Sequence, residues 1–162
     1  MFWLILKPTV PDPLPLDLDN YVPALLSWLN NKLSAGGSSL YRERFGIGIA
    51  DWRVLAYLGV KTSGTGAEIS EFLGMDKAAV SRSIASLKQK GLATAKKPGR
   101  RSIELLLTAK GALLYNEILD VALVRERALL DGFSDEERLQ SITLLQRMLA
   151  NLPKVHQAGD GI

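Results

Sequence analysis

Apolar positions recur at helical spacing along most of this chain, punctuated by glycine and proline, with one alternating stretch near residue 105. Tyr21, Leu25, Trp28, Leu29 and Leu33 fall near one face, which predicts a first helix capped by Asp17 or Asp19 and running to about Arg44. Gly36-Gly37 is expected to interrupt it. Gly46 to Asp51 reads as a turn into a second helix that buries Trp52, Leu55, Ala56 and Leu58. Thr65-Gly-Ala-Glu68 has the form of a capping box, in which hydroxyl and carboxylate satisfy orphan N–H groups at a helix start. Ile69, Phe72 and Leu73 then share a face before Gly74 ends the third helix. Asp76 caps a fourth, whose Val80, Ile84 and Leu87 repeat at i, i+4 and i+7, with Gly91 as its terminating glycine.

The period then changes. Ile103, Leu105 and Leu107 alternate with Ser102 and Glu104, so 92–97 and 102–107 are predicted to form a two-stranded hairpin turning at Pro98-Gly99. A long helix follows from Thr108 to about Leu130, apolar on more than one side and therefore wedged between neighbours. Ser134-Asp-Glu-Glu137 is a second capping box. It opens a last helix with Leu139, Ile142, Leu145, Leu149 and Leu152 in one stripe, and Pro153 is expected to stop it. The fold class is thus mainly α with a small β-hairpin.

Composition removes several functions. The 162 residues fit one domain with a real core, and the net charge of +3 is mild. The chain has no cysteine, and its single histidine, His156, lies in a polar tail. Disulfides, thiolate or histidine-rich metal sites and cysteine redox sensing are excluded, and no cofactor or metal is expected. Phosphate-binding and nucleophile motifs are missing, and the acid pairs sit at helix N-termini, where the macrodipole favours them. An enzyme is not expected. The apolar start, Met1 to Lys7, is too short to span a membrane and lacks the flanks of a signal peptide, which points to a cytoplasmic protein.

The charge is clustered where the hairpin begins. Eight basic residues and no acid lie between Lys77 and Arg101. With Val80, Ile84 and Leu87 inward, the fourth helix turns Ala78, Arg82, Ala85, Ser86 and Gln89 outward, flanked by Lys77 and Ser81. Such a face, small apart from one arginine and a glutamine, suits a DNA major groove.

These stretches carry a family resemblance. Ala67 to Leu73, Met75 to Arg82, Leu87 to Leu92 and above all Arg100-Arg-Ser-Ile-Glu-Leu-Leu-Leu-Thr-Ala-Lys-Gly111 resemble the winged helix-turn-helix of MarR (multiple-antibiotic-resistance) transcriptional regulators. The wing departs at Pro98-Gly99, where the family usually has acidic residues. Pro8, Pro11, Pro13 and Pro15 forbid a continuous helix over 1–18, which reads as an extended arm or, alternatively, as a segment whose Phe2, Trp3, Leu4 and Ile5 pack on a partner subunit. The polar, glycine-containing stretch over 153–162 reads as a flexible tail. The resemblance implies a helical dimerisation region over 19–45 and 108–152 and a DNA-binding lobe over 46–107. It implies a homodimer on double-stranded DNA, a repressor on a pseudo-palindromic operator. Lys77, Ala78, Ser81 and Arg82 would meet bases or nearby phosphates, Lys88, Lys96 and Lys97 the backbone, and Arg100 and Arg101 the minor groove. Tyr21, Leu25, Leu26, Ile142, Leu145 and Leu149 are the expected dimer contacts. A small aromatic effector is implied near Trp28, Tyr41, Trp52 and Tyr57. The competing reading is a winged-helix protein-interaction module that binds DNA without sequence preference.

Overall fold

A computed structural model describes residues 14–96 and 103–158. Among these, seven helices and three short strands follow in the order α1 (Val22–Phe45), α2 (Ile49–Lys61), β1 (Ser63–Gly64), α3 (Gly66–Leu73), α4 (Lys77–Gln89), β2 (Ala93–Lys96), β3 (Glu104–Leu107), α5 (Ala109–Leu129), α6 (Asp135–Ala150) and α7 (Leu152–Ala158). The hairpin is one side of a three-stranded antiparallel sheet, ordered β1-β3-β2, because Ser63 and Gly64 pair with Leu106 and Leu105. On the other side of β3, Lys96 lies opposite Glu104, a favourable cross-strand charge pair.

The buried core draws on α1–α5 and the sheet: Tyr41, Ile47, Val54, Leu55, Leu58, Ile69, Val80, Leu87, Leu92, Leu105 and Ile118. It packs α2 between α4, the sheet and α5, which fixes the helix-turn-helix against the long helix. This is a mainly α winged helix-turn-helix. Leu105 is the core-facing residue of β3, whereas Ile103 before it is exposed.

Both capping boxes form as their sequences require, with Thr65 and Ser134 accepting from the N–H of Glu68 and Glu137. Four expectations need correction. Helix α1 starts after Tyr21, with Pro23 in its first turn, while Asp17 accepts from Asn20 and the Asp19 N–H in the preceding turn. It runs through Gly36-Gly37 unbroken, since Gly37 is buried with Ile49 and Arg125 packed closely over it. Phe72 is 63% exposed, packing edge-on against Tyr57 instead of entering the core with Ile69. Pro153 does not end helical structure. It sits at the second position of α7, where its missing N–H costs nothing, so the expected loose tail is helical to Ala158.

Candidate nucleic-acid interface

Helix α4 is held at its start by Asp76, whose carboxylate accepts the N–H groups of Ala78 and Ala79 at 2.9 and 3.0 Å. Val80, Ser83 and Leu87 are buried, and small Ser83 was not among the expected core residues. Its one-helical-turn spacing from Val80 and Leu87 was the signal. On the opposite side Lys77, Ala78, Ser81, Arg82, Ala85, Lys88 and Gln89 are all exposed. Five of the expected DNA contacts thus lie along one side of one helix. A shallow cavity of about 260 Å³ opens between α3 and α4, lined by Gly66, Ala67, Lys77, Val80, Ser81 and Ile84.

Two residues depart from that face. Ser86, expected outward, is half-buried and donates to the Asp51 carboxylate at 2.9 Å. Lys90 turns back as well, donating to the Gly46 carbonyl at 2.8 Å with Asp51 at 3.6 Å. Lys96 is exposed at the end of β2. Lys97, Arg100 and Arg101 lie outside the described residues.

The neighbouring helix α3 begins with a charged cap. The Thr65 N–H and hydroxyl both donate to the Glu68 carboxylate, at 2.7 and 3.0 Å, and the backbone donor foremost holds that group below the ordinary glutamate range.

The aromatic candidates do not gather in one pocket. Tyr41, Trp52 and Tyr115 form a packed series, with ring centroids 6.0 and 5.8 Å apart. Trp28 is 41% exposed on α1, and Tyr57 is engaged with Phe72. Tyr41 lines a cleft of about 280 Å³ among α1, α2 and α5 that also presents Arg53 and Arg125. Those two arginines were missed. Arg53 donates to Asn30 and Ser34, and Arg125 to the Leu33 carbonyl. A charge amid the apolar residues of α5 was the available clue. Among the described residues no helix is long and apolar enough to cross a membrane, and no cluster has the makings of a metal site.

Tyr21, Leu25, Leu26, Ile142, Leu145 and Leu149 are all exposed, the first three at the start of α1 and the rest on α6. No residue of helix α6 is fully buried within its own chain.

A family model described as the MarR family matches residues 45–102. No curated protein matches the chain. Among solved structures, a MarR/EmrR family transcriptional regulator from Acinetobacter sp. ADP1 aligns with TM-score 0.81 and 32% identity, over 86% of this chain and 99% of that one. The S. aureus MepR–DNA complex shares the fold at TM-score 0.72 and 22% identity, over 82% of this chain and 98% of that one. A mutant MarR from E. coli complexed with operator DNA does so at 0.68 and 22%, over 79% and 93%. Identity of this level, sustained over nearly the whole length of the Acinetobacter regulator and joined to the winged helix-turn-helix built here, means that the chain belongs to the MarR family of transcriptional regulators.

Proposed function

We propose that the protein is a sequence-specific DNA-binding regulator, a repressor acting as a homodimer on a pseudo-palindromic operator. The observation that carries this reading is the outward side of α4: small side chains around Arg82, with Lys77 and Lys88 at either end and no acid in its sequence. In a major groove, Arg82 makes a bidentate contact to guanine, contributing about 1–3 kcal/mol of discrimination. Ala78 and Ser81 let the helix approach the base edges, and Lys77, Lys88 and Lys96 hold phosphates. Lys97, Arg100 and Arg101 complete the wing's contacts by the sequence argument alone.

The unit over 46–107 serves as the DNA-binding lobe, and 19–45 with 108–152 forms the dimerisation region. The exposed apolar residues of α1 and α6 support this, since a solvated surface of that extent invites a partner. A two-fold pair places two α4 helices in successive major grooves, so half-sites lie about one helical turn apart. A small aromatic effector fits the cleft beside Tyr41 and acts if it prefers one spacing of the two lobes over the other.

The test is fluorescence anisotropy with duplex DNA from upstream of the protein's own gene and with a scrambled duplex, across a salt series. The native duplex binds far more tightly at moderate salt, and Arg82→Ala erases that preference while weak binding persists. Equal binding of both duplexes with a steep salt slope would leave only a phosphate-binding surface and turn the case to a protein-interaction module.

A further inference from the structure

The recognition helix needs an orientation as well as a surface, and α4 is tethered at its C-terminal end by one carboxylate. Asp51 stands in the first turn of α2, where the helix dipole favours its charge, with its side chain only 14% exposed. The hydrogen bond and the ion pair it makes both go to α4: Ser86 donates at 2.9 Å, and the Lys90 ammonium lies 3.6 Å away. Lys90 spans onward to the Gly46 carbonyl, the C-cap of α1, at 2.8 Å, and the Lys90 carbonyl accepts from Lys110 of α5 at 3.1 Å. Three helices therefore meet at the final turn of α4. The apolar contacts of Val80, Ile84 and Leu87 hold α4 against the core and bound its rotation about the helix axis only as closely as side-chain repacking allows. The directional bonds from Ser86 and Lys90 narrow that range further.

We infer that Asp51 is a positioning residue for DNA recognition, setting the rotation of α4 through Ser86 and Lys90 and so the aim of Arg82, without itself touching DNA. This rests on the regulator reading above. Lys90, occupied by Asp51 and Gly46, is then a structural cation and adds nothing to phosphate binding.

Charge and position predict opposite signs, which makes the inference testable. Removing a carboxylate beside a DNA-binding face strengthens binding to any duplex if only the field matters. If Asp51 positions α4, Asp51→Ala weakens binding to the native duplex while leaving or slightly strengthening binding to the scrambled one. The expected loss in the native-to-scrambled affinity ratio is about tenfold, the lower part of what one bidentate base contact contributes. Asp51→Asn keeps an oxygen to accept from Ser86 and restores most of the ratio although it too lacks the charge. Ser86→Ala, read from the other side of the same bond, lowers the ratio part of the way and covers the case in which Asp51→Ala does not fold. Lys90→Met leaves the salt slope unchanged, whereas Lys88→Met reduces it. An Asp51→Ala protein that binds both duplexes more tightly, or an unchanged ratio in Asp51→Ala and Ser86→Ala, overturns the inference while the regulator reading stands. A wild-type protein indifferent to sequence overturns both.

Discussion

Gly111, the last residue of the wing motif, has the closest neighbour of the glycines among the described residues. A Cβ built on it would lie 1.9 Å from the Leu92 carbonyl oxygen, where real Cβ atoms essentially never come closer than 3.0 Å. The obstacle is backbone and cannot swing aside. That same oxygen accepts the Thr108 N–H at 3.1 Å, and Thr108 in turn caps α5 through the Gly111 N–H at 3.0 Å. Gly111→Ala must therefore part α5 from the α4–β2 turn or break the cap. Overpacking of a core costs about 1–3 kcal/mol, and a rigid clash of this size belongs at or above the top of that range. Alanine's better helix propensity returns up to about 1 kcal/mol. A net loss of about 2–3 kcal/mol remains, which for a chain of this length lowers Tm by roughly 5–10 °C. Gly36→Ala is the internal control. Its Cβ meets nothing nearer than the Arg125 guanidinium at 3.8 Å, so propensity alone acts and Tm rises by about 2–3 °C. Both are read by thermal melts at one fixed protein concentration, because association shifts Tm by mass action. A Gly111→Ala protein that melts at or above the wild-type temperature would refute the close approach.

Two further outcomes follow from the caps and the exposed stripe. Because hydrogen bonds from Thr65 depress the Glu68 pKa below its ordinary 4.5, that charge stabilises the fold above the unfolded value and loses its contribution as pH falls through the folded one. Wild type should then lose stability relative to Glu68→Gln only as pH drops below about 4.5, and a stability difference constant down to pH 2 would count against the charged cap. Leu145→Glu, on the apolar stripe of α6, should convert the protein to monomers in sedimentation equilibrium, and an unchanged mass would remove α6 from the interface.

What could be read from the sequence was what each element decides for itself. Thr65, Asp76, Thr108 and Ser134 announce their helices because a cap is a local bond, and Gly74 and Gly91 end two because both take positive φ. What escaped was decided across elements. Ser86 looks outward on α4's own periodicity, yet Asp51, 35 residues earlier, draws it inward. Gly36-Gly37 looks like a break, but packing against Ile49 and Arg125 keeps α1 continuous. Phe72 carries the right spacing for the core and lies over Tyr57 and beneath the Lys61 ammonium instead. Of the aromatic candidates, Tyr41 and Trp52 meet while Trp28 and Tyr57 lie apart from them for the same reason: helical spacing says which side of its own helix a ring occupies, not which neighbouring ring it meets.

The C-terminal helices link stability to recognition. Helix α6 has sixteen residues, a complete capping box and no residue buried within its chain. Sixteen residues lie only just beyond the length below which even alanine-rich helices are marginal in water, about 12–15. Most helical stability in proteins comes from packing an apolar face, so a cap worth about 1 kcal/mol does not sustain this mixed sequence alone. Its apolar stripe, Leu139 to Leu149, needs a surface to bury against, and on the homodimer reading that surface is the second copy. Ordering of α6 and association are then one equilibrium. Helix α5 runs from the Gly111–Leu92 contact to the turn that starts α6, so on the same homodimer reading it joins the interface to the lobe that holds α4. A perturbation at either end of α5 is then expected to alter the separation of the two recognition helices. Leu145→Glu should accordingly weaken binding to a full operator far more than to a half-site duplex, since α4 itself is untouched. Equal loss on both duplexes would mean that α6 supports the lobe's own fold rather than the spacing between lobes.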